Sequence, residues 1–170
     1  MPEKPEVQHS ADCLHKLLLN RVVTKLAYNN GSRYQKDSIK NYKEFINVLP
    51  ATITRVWSKG KKLIISLSND CHILNSLAME GKWLLKPAKH SNLWIEFEKE
   101  SEKEVPLYYD DARHFGSIEL ILNSTRLIER LSKIGPDLLL DPVDLEQWLS
   151  VVRNSRLKKM EICHFLLKFR

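Results

Sequence analysis

The sequence predicts an α+β fold: an antiparallel β-sandwich flanked by helices and followed by an incomplete helical segment. Three features carry that expectation. Between residues 52 and 122, seven short runs that alternate or are apolar throughout follow one another at close spacing with turn signals between them, the pattern of an antiparallel sandwich or barrel. Ahead of them lies a stretch whose apolar residues recur at helical spacing. After residue 122 the period changes back to that of helices.

Val7, Ala11, Leu14 and Leu18 stand four, three and four residues apart and draw one apolar stripe on a helix running to about Leu19. Residues 21–28 are rich in β-branched side chains and read as a strand, ended by the turn chemistry of Asn29-Asn30-Gly31-Ser32. Residues 37–48 are polar and basic, yet Tyr42, Phe45, Ile46 and Leu49 fall at roughly helical spacing and predict a short helix. The seven further strands are expected at 52–57, 62–67, 72–77, 81–85, 93–97, 107–110 and 117–122, with Glu98 to Glu104 as a charged hairpin tip. From Asn123 a helix carries Leu127, Ile128 and Leu131 on one face until Gly135-Pro136 stops it. Asp141-Pro142 restarts a helix, as an N-cap followed by proline at the first helical position, with Asp144 further in. Leu145, Trp148, Leu149 and Val152 would be its buried face. A last run, Leu157 to Phe169, is apolar almost all round and needs partners on several sides, so the helical part reads as unfinished. The domains expected are 1–122, the sandwich with its leading helix, and 123–170, the helical segment.

A chain of 170 residues, 43% hydrophobic and 28% charged, can bury a core and is of ordinary globular composition. Its 27 Lys and Arg against 21 Asp and Glu give a net charge of +6, which leans towards a polyanionic partner. No apolar run reaches membrane-spanning length and no secretory signal opens the chain. No membrane partner is therefore expected, and the protein is placed in a reducing, intracellular compartment, nuclear or cytoplasmic. Cys13, Cys71 and Cys163 are odd in number and far apart, which argues against a disulfide framework and against paired zinc ligands. No metal and no cofactor are expected, and Cys13 and Cys163 should pack as small apolar residues.

The chemistry is concentrated in residues 1–7. Proline behind an initiator methionine allows the methionine to be removed, leaving Pro2 with a free secondary amine. An α-amino group titrates near pH 8, so a useful fraction is unprotonated at neutral pH. Attack by this amine on an aldehyde or a sugar C1 gives an imine that must carry positive charge, an electron sink. Glu3 stands beside it to move a proton, the pairing that covalent catalysis uses. The same residues also make an ordinary helix entry, with Pro5 near the first helical position and Glu6 favoured by the helix dipole.

Four separated pieces occur in order: PEKPEV at residues 2–7, SKGKKLI at 58–64, LAMEG at 77–81 with DARHFG at 111–116, and IGPDLL at 134–139. Together they resemble the formamidopyrimidine-DNA glycosylase and endonuclease VIII family over residues 1 to about 167. The resemblance implies a bifunctional repair enzyme that excises oxidised bases from double-stranded DNA and nicks the strand at the abasic site by elimination. In it Pro2 matches the nucleophile, Glu3 the proton donor, Lys61 the loop lysine that enters the active site, and Glu6 a second carboxylate that helps order it. Without the other motifs, Lys61 among Lys59 and Lys62 would read as a solvated hairpin. Excision from a duplex leaves a hole where the flipped nucleotide stood. Met79, Arg113 and Phe115 match the groups that fill it: an apolar wedge, a guanidinium for the orphaned base and an aromatic that stacks. Read alone, Met79 and Phe115 could equally be core residues, and Arg113 and His114 a solvent-facing pair. His114 stands where many members carry a second arginine. Lys82, Lys158 and Lys159 would serve phosphate contacts.

The resemblance makes residues 1–122 a catalytic domain and 123–170 the start of a helix-two-turn-helix DNA-binding region. The family's Gly-Asn-Ile-Tyr motif and its zinc finger, or zincless mimic, do not occur in these residues, and Cys163 stands where many members have a lysine. Three expectations follow: a working glycosylase and lyase, a DNA-binding module without turnover, and half of a split enzyme completed by a second chain docking on Leu157 to Phe169.

Overall fold

The computed structural model describes residues 2–36, 39–99, 105–134 and 144–154. Helix α1 (Lys4–Leu18) leads, and its buried residues are Val7, Ala11, Leu14 and Leu18, the predicted stripe. The eight strands are β1 (Val22–Tyr28), β2 (Ala51–Lys59), β3 (Lys62–Leu67), β4 (His72–Ser76), β5 (Lys82–Leu84), β6 (Ser91–Phe97), β7 (Leu107–Asp110) and β8 (Ser117–Ile121). All are antiparallel, hydrogen-bonded in the order β5-β7-β6-β1-β2-β3-β4-β8. At the middle, β1 and β2 share a short ladder at Val22–Thr52 and Val23–Ala51. The sheet folds there into two facing halves. Tyr109 of β7 donates its hydroxyl to the Ser76 carbonyl of β4 at 3.4 Å, and Trp83 Nε1 of β5 donates to Asn75 Oδ1 of β4 at 3.0 Å. This is the predicted α+β sandwich.

Burial explains the two kinds of strand. β6 alternates, with Ser91, Leu93, Ile95 and Phe97 inward, because one face meets the core and the other meets solvent. β3 is buried from Leu63 to Leu67 because both its faces are covered. Leu63 and Ile65 join the main core with α1, whereas Ile64 lies on the outer face with Leu74 and Ile121. That outer face is capped by α4 (Ser124–Leu131) through Leu127 and Leu131. Asn123 caps the helix, its side chain accepting the Arg126 N–H at 2.9 Å.

Several expectations are corrected. Ile128, assigned to the buried face of α4, is 67% exposed; it follows Leu127 by one position, about 100° around the helix, and points away from the sheet. The helix predicted over 37–48 is shorter, α3 (Tyr42–Asn47), and is preceded by a separate turn of helix, α2 (Arg33–Lys36). Cys13 does not pack inside: it lies off the apolar stripe, exposed, with Sγ 3.7 Å from His9 Nε2. Helix α5 (Leu145–Asn154) is preceded by Asp144, whose carboxylate accepts the Glu146 N–H at 3.0 Å. Leu145 opens the helix exposed rather than buried. The tip at 100–104, Gly135-Pro136, Asp141-Pro142, Cys163, the run 157–169, Lys158 and Lys159 lie outside the described residues, as do the side chains of Trp148 and Val152.

The β3–β4 turn is latched to α4 by a directional chain of hydrogen bonds. Trp57 Nε1 donates to Ser66 Oγ at 3.2 Å, and Ser66 Oγ lies 3.0 Å from His72 Nδ1. His72 Nε2 is 3.1 Å from Ser124 Oγ, and the Ser124 hydroxyl donates to Asp70. Since that hydroxyl is spent on Asp70, His72 carries its proton on Nε2 and accepts from Ser66 on Nδ1. Burial holds this imidazole below the usual histidine pKa of 6.5, against the pull of Asp70. The unfolded chain therefore takes the proton first, so this contribution is full above about pH 6.5 and is lost as pH falls through the lowered native value. Urea titrations at pH 7.5 and pH 5 should show the stability gap between wild type and His72→Gln narrowing at the lower pH.

Candidate active site

Pro2 and Glu3 precede the first turn of α1, which is closed by its own residues. Glu6 Oε2 accepts the Glu3 N–H at 2.7 Å, and the Glu3 carbonyl accepts the N–H groups of Glu6 and Val7, both at 3.1 Å. Glu6 thus orders the turn that carries Glu3. Lys4 Nζ, at N1, is held by Gln8 Oε1 at 2.9 Å and Ser58 Oγ at 3.0 Å, which ties the helix start to β2.

The second piece is the β2–β3 hairpin. Lys59 pairs with Lys62, leaving Gly60-Lys61 as a two-residue loop. Gly60 has φ +55°, and Lys61 is not among the residues of positive φ, the type II′ pattern that needs glycine first. Lys61 therefore stands up from the turn. Its ammonium sits 2.9 Å from both Glu3 carboxylate oxygens. Pro2 and Lys61 line one shallow pocket with Val7, Ser76, Leu77 and Ala78. Pro2, Glu3 and Glu6 from one stretch of sequence and Lys61 from another meet at one place.

The third piece is a pair of loops. In the β4–β5 loop, Leu77 and Ala78 line the pocket and the next residue, Met79, is 47% exposed. In the β7–β8 loop, Phe115 is 61% exposed. Arg113 Nε bonds Glu80 Oε1 at 3.1 Å, an ion pair that links the two loops. Met79 and Phe115 are outside the core, each exposed on one of two loops that the Arg113–Glu80 pair joins. His114 faces differently: its Nδ1 is buried with no hydrogen-bond partner among the described residues, and its carbonyl accepts from the Arg33 guanidinium. Lys82 is exposed at the start of β5.

Both loops rest on Tyr109, which is fully buried. A Cβ on Gly81 or on Gly116 would fall well inside van der Waals distance of the Tyr109 hydroxyl. Beneath the second loop, Asp111 is 2% exposed and accepts the Gly116 N–H at 2.7 Å. Burial pushes the Tyr109 phenol up to about 12. Gly116→Ala should cost about 1–3 kcal/mol by overpacking, read as a lowered urea midpoint with unchanged slope.

Sequence reasoning missed Arg33, Tyr109 and Asp111 as supports, and Ser76 and Ala78 as pocket lining. Asp111 and Gly116 could have been paired as a closed loop from their five-residue spacing. Arg33 carries no signal, because its partner lies 81 residues away.

Fold and site together define a sandwich domain that carries its candidate reactive groups at the amino terminus, beside two exposed loops. The chain belongs to the formamidopyrimidine-DNA glycosylase family, whose N-terminal domain model matches residues 1–118. It is 31% identical over 144 residues to the formamidopyrimidine-DNA glycosylase of Ligilactobacillus salivarius, covering 81% of this chain and 49% of that protein. To the Streptococcus pneumoniae enzyme of the same name it is 28% identical, covering 92% and 56%. A solved Lactococcus lactis formamidopyrimidine-DNA glycosylase, non-covalently bound to DNA containing an AP site, superposes with a TM-score of 0.78 at 26% identity, covering 99% of this chain and 62% of that one. MutM in complex with DNA containing carbocyclic 8-oxo-G gives 0.72 at 26%, covering 89% and 57%. The chain spans about half the length of the curated relatives it matches. Among the described residues no helix is long and apolar enough to cross a membrane.

Proposed function

We propose that this protein excises oxidised bases from double-stranded DNA and nicks the strand at the abasic site, through an imine formed by Pro2. The observation that carries the reading is the pocket shared by Pro2 and Lys61, with the Glu3 carboxylate paired to Lys61 and the pocket wall continuing into the Met79 loop. Met1 is removed, and the Pro2 nitrogen attacks C1′ of the damaged nucleotide. The C1′–base bond breaks, and the base leaves with a proton supplied through Glu3; the Pro2 ammonium so formed then gives its proton to O4′ as the C1′–O4′ bond opens, which leaves the nitrogen double-bonded to C1′. The cationic imine then draws electrons from C2′, whose proton is lost as the 3′ phosphate departs. The Lys61 ammonium keeps the Glu3 carboxylate facing the pocket and adds positive charge where phosphate approaches.

Met79, Arg113 and Phe115 fill the duplex where the nucleotide has left it, with His114 between them and Lys82 close by on the next strand. Two relatives are solved with DNA containing an AP site or 8-oxo-G, and a net charge of +6 favours the same partner. Residues 1–122 make the catalytic domain, and residues 123–170 begin the helical DNA-binding part, which a second chain can complete.

The test is incubation with an abasic duplex and borohydride, which reduces the imine to a stable adduct. A protein–DNA adduct of the summed mass is expected. A gel shift with no adduct and no nicking at high protein concentration would reduce the protein to a DNA-binding module.

A further inference from the structure

We infer that Arg33 is a positioning residue: from α2 it holds the 111–116 loop in the form that presents Arg113 and Phe115 to DNA. The inference rests on the DNA-repair reading proposed above for the same loops.

His114 stands between the two presented side chains and has φ +54°. For a residue with a Cβ, this left-handed backbone is disfavoured and persists only where the surroundings hold it. The buried Nδ1 of its side chain adds no hydrogen bond to that hold among the described residues. The backbone is fixed from either side instead. Arg33 donates to the His114 carbonyl, and Asp111 takes the Gly116 N–H at 2.7 Å.

Arg33 is well placed for this because it approaches a buried cluster of acceptors. Tyr34 is 6% exposed, Tyr109 0% and Asp111 2%. Burial raises both the Tyr34 and the Tyr109 phenols; Tyr109 and then Asp111 add to the rise of Tyr34, Asp111 adds to that of Tyr109, and Arg33 acts against the rise in both. The guanidinium is thus near this buried cluster while it holds the loop's backbone. Lysine could supply the charge, but not the fixed fork of donors. With Arg33 gone, the His114 carbonyl loses its donor and the residue can relax to the right-handed region. That rotation would turn Arg113 and Phe115 away from their present directions.

The experiment compares wild type, Arg33→Met and Arg33→Lys by single-turnover imine trapping at an abasic site in a duplex and in a single strand. A single strand has no hole to fill. A second readout is the fluorescence of 2-aminopurine opposite the abasic site, which brightens when a side chain enters the stack. For Arg33→Met the duplex rate should fall by about 10²-fold, the scale of a misplaced positioning group, and brightening should be lost. The single-strand rate should stay within about twofold, and Arg33→Lys should recover part of the duplex loss. Equal loss on both substrates would show a merely structural role and overturn the inference, as would retained brightening in Arg33→Met. Wild-type protein that brightens the probe but traps neither substrate would sink the catalytic reading and leave the Arg33 comparison decided by fluorescence.

Discussion

Protein in which Met1 is retained, or in which an uncleaved residue precedes Pro2, is expected to lose imine trapping on abasic duplex by more than about 10³-fold, the scale of removing a covalent nucleophile. The cause is electronic. As part of a peptide bond the Pro2 nitrogen has its lone pair delocalised into the carbonyl, and it can neither attack C1′ nor carry an iminium. The fold should be untouched, because the α1 start is closed by Glu3, Glu6 and Val7 and not by the terminal amine. Pro2→Ala separates nitrogen from ring. It keeps a free primary amine and should trap more slowly than wild type but far faster than the blocked chain, since its imine becomes cationic only on gaining a proton, whereas the proline imine is cationic by constitution.

Glu3→Gln is expected to slow excision of an intact damaged base by about 10²–10⁴-fold, the usual contribution of a positioned proton donor. The substitution preserves size and leaves the backbone bonds that close the helix. It removes the ion pair with Lys61, an exposed contact with Glu3 66% accessible, which is worth less than about 1 kcal/mol to stability. Trapping at a preformed abasic site should fall much less, because no base has to leave. The comparison of single-turnover excision and trapping rates checks this, and equal losses in the two would remove Glu3 from the role of proton donor.

These effects were largely foreseeable from the chain because the residues concerned sit in short contiguous motifs. The eight strands were legible for the same reason: turn chemistry and alternation are local, as in β6, where every second residue is inward. Helix α1 was legible because its four core contacts share one stripe. What local pattern cannot reveal is what covers a face. Ile128 belongs to an apolar group of three in the sequence, but it stands about 100° around α4 from Leu127, and it is Leu127 and Leu131 that meet β3, β4 and β8. In the candidate site, the amine, carboxylate, lysine and exposed loop residues could each be named. Their supports could not. Tyr109 reads as one more apolar strand residue, and only the folded sandwich puts its hydroxyl under Gly81 and Gly116. Arg33 lies in a polar stretch whose side chains have no period to follow.

The most direct measurement is peptide mass mapping of the borohydride-reduced adduct after digestion of protein and DNA. The account predicts a sugar remnant on the nitrogen of Pro2, in a peptide that lacks Met1. A remnant on Lys61, or a terminal peptide that begins with Met1 and carries none, would contradict it.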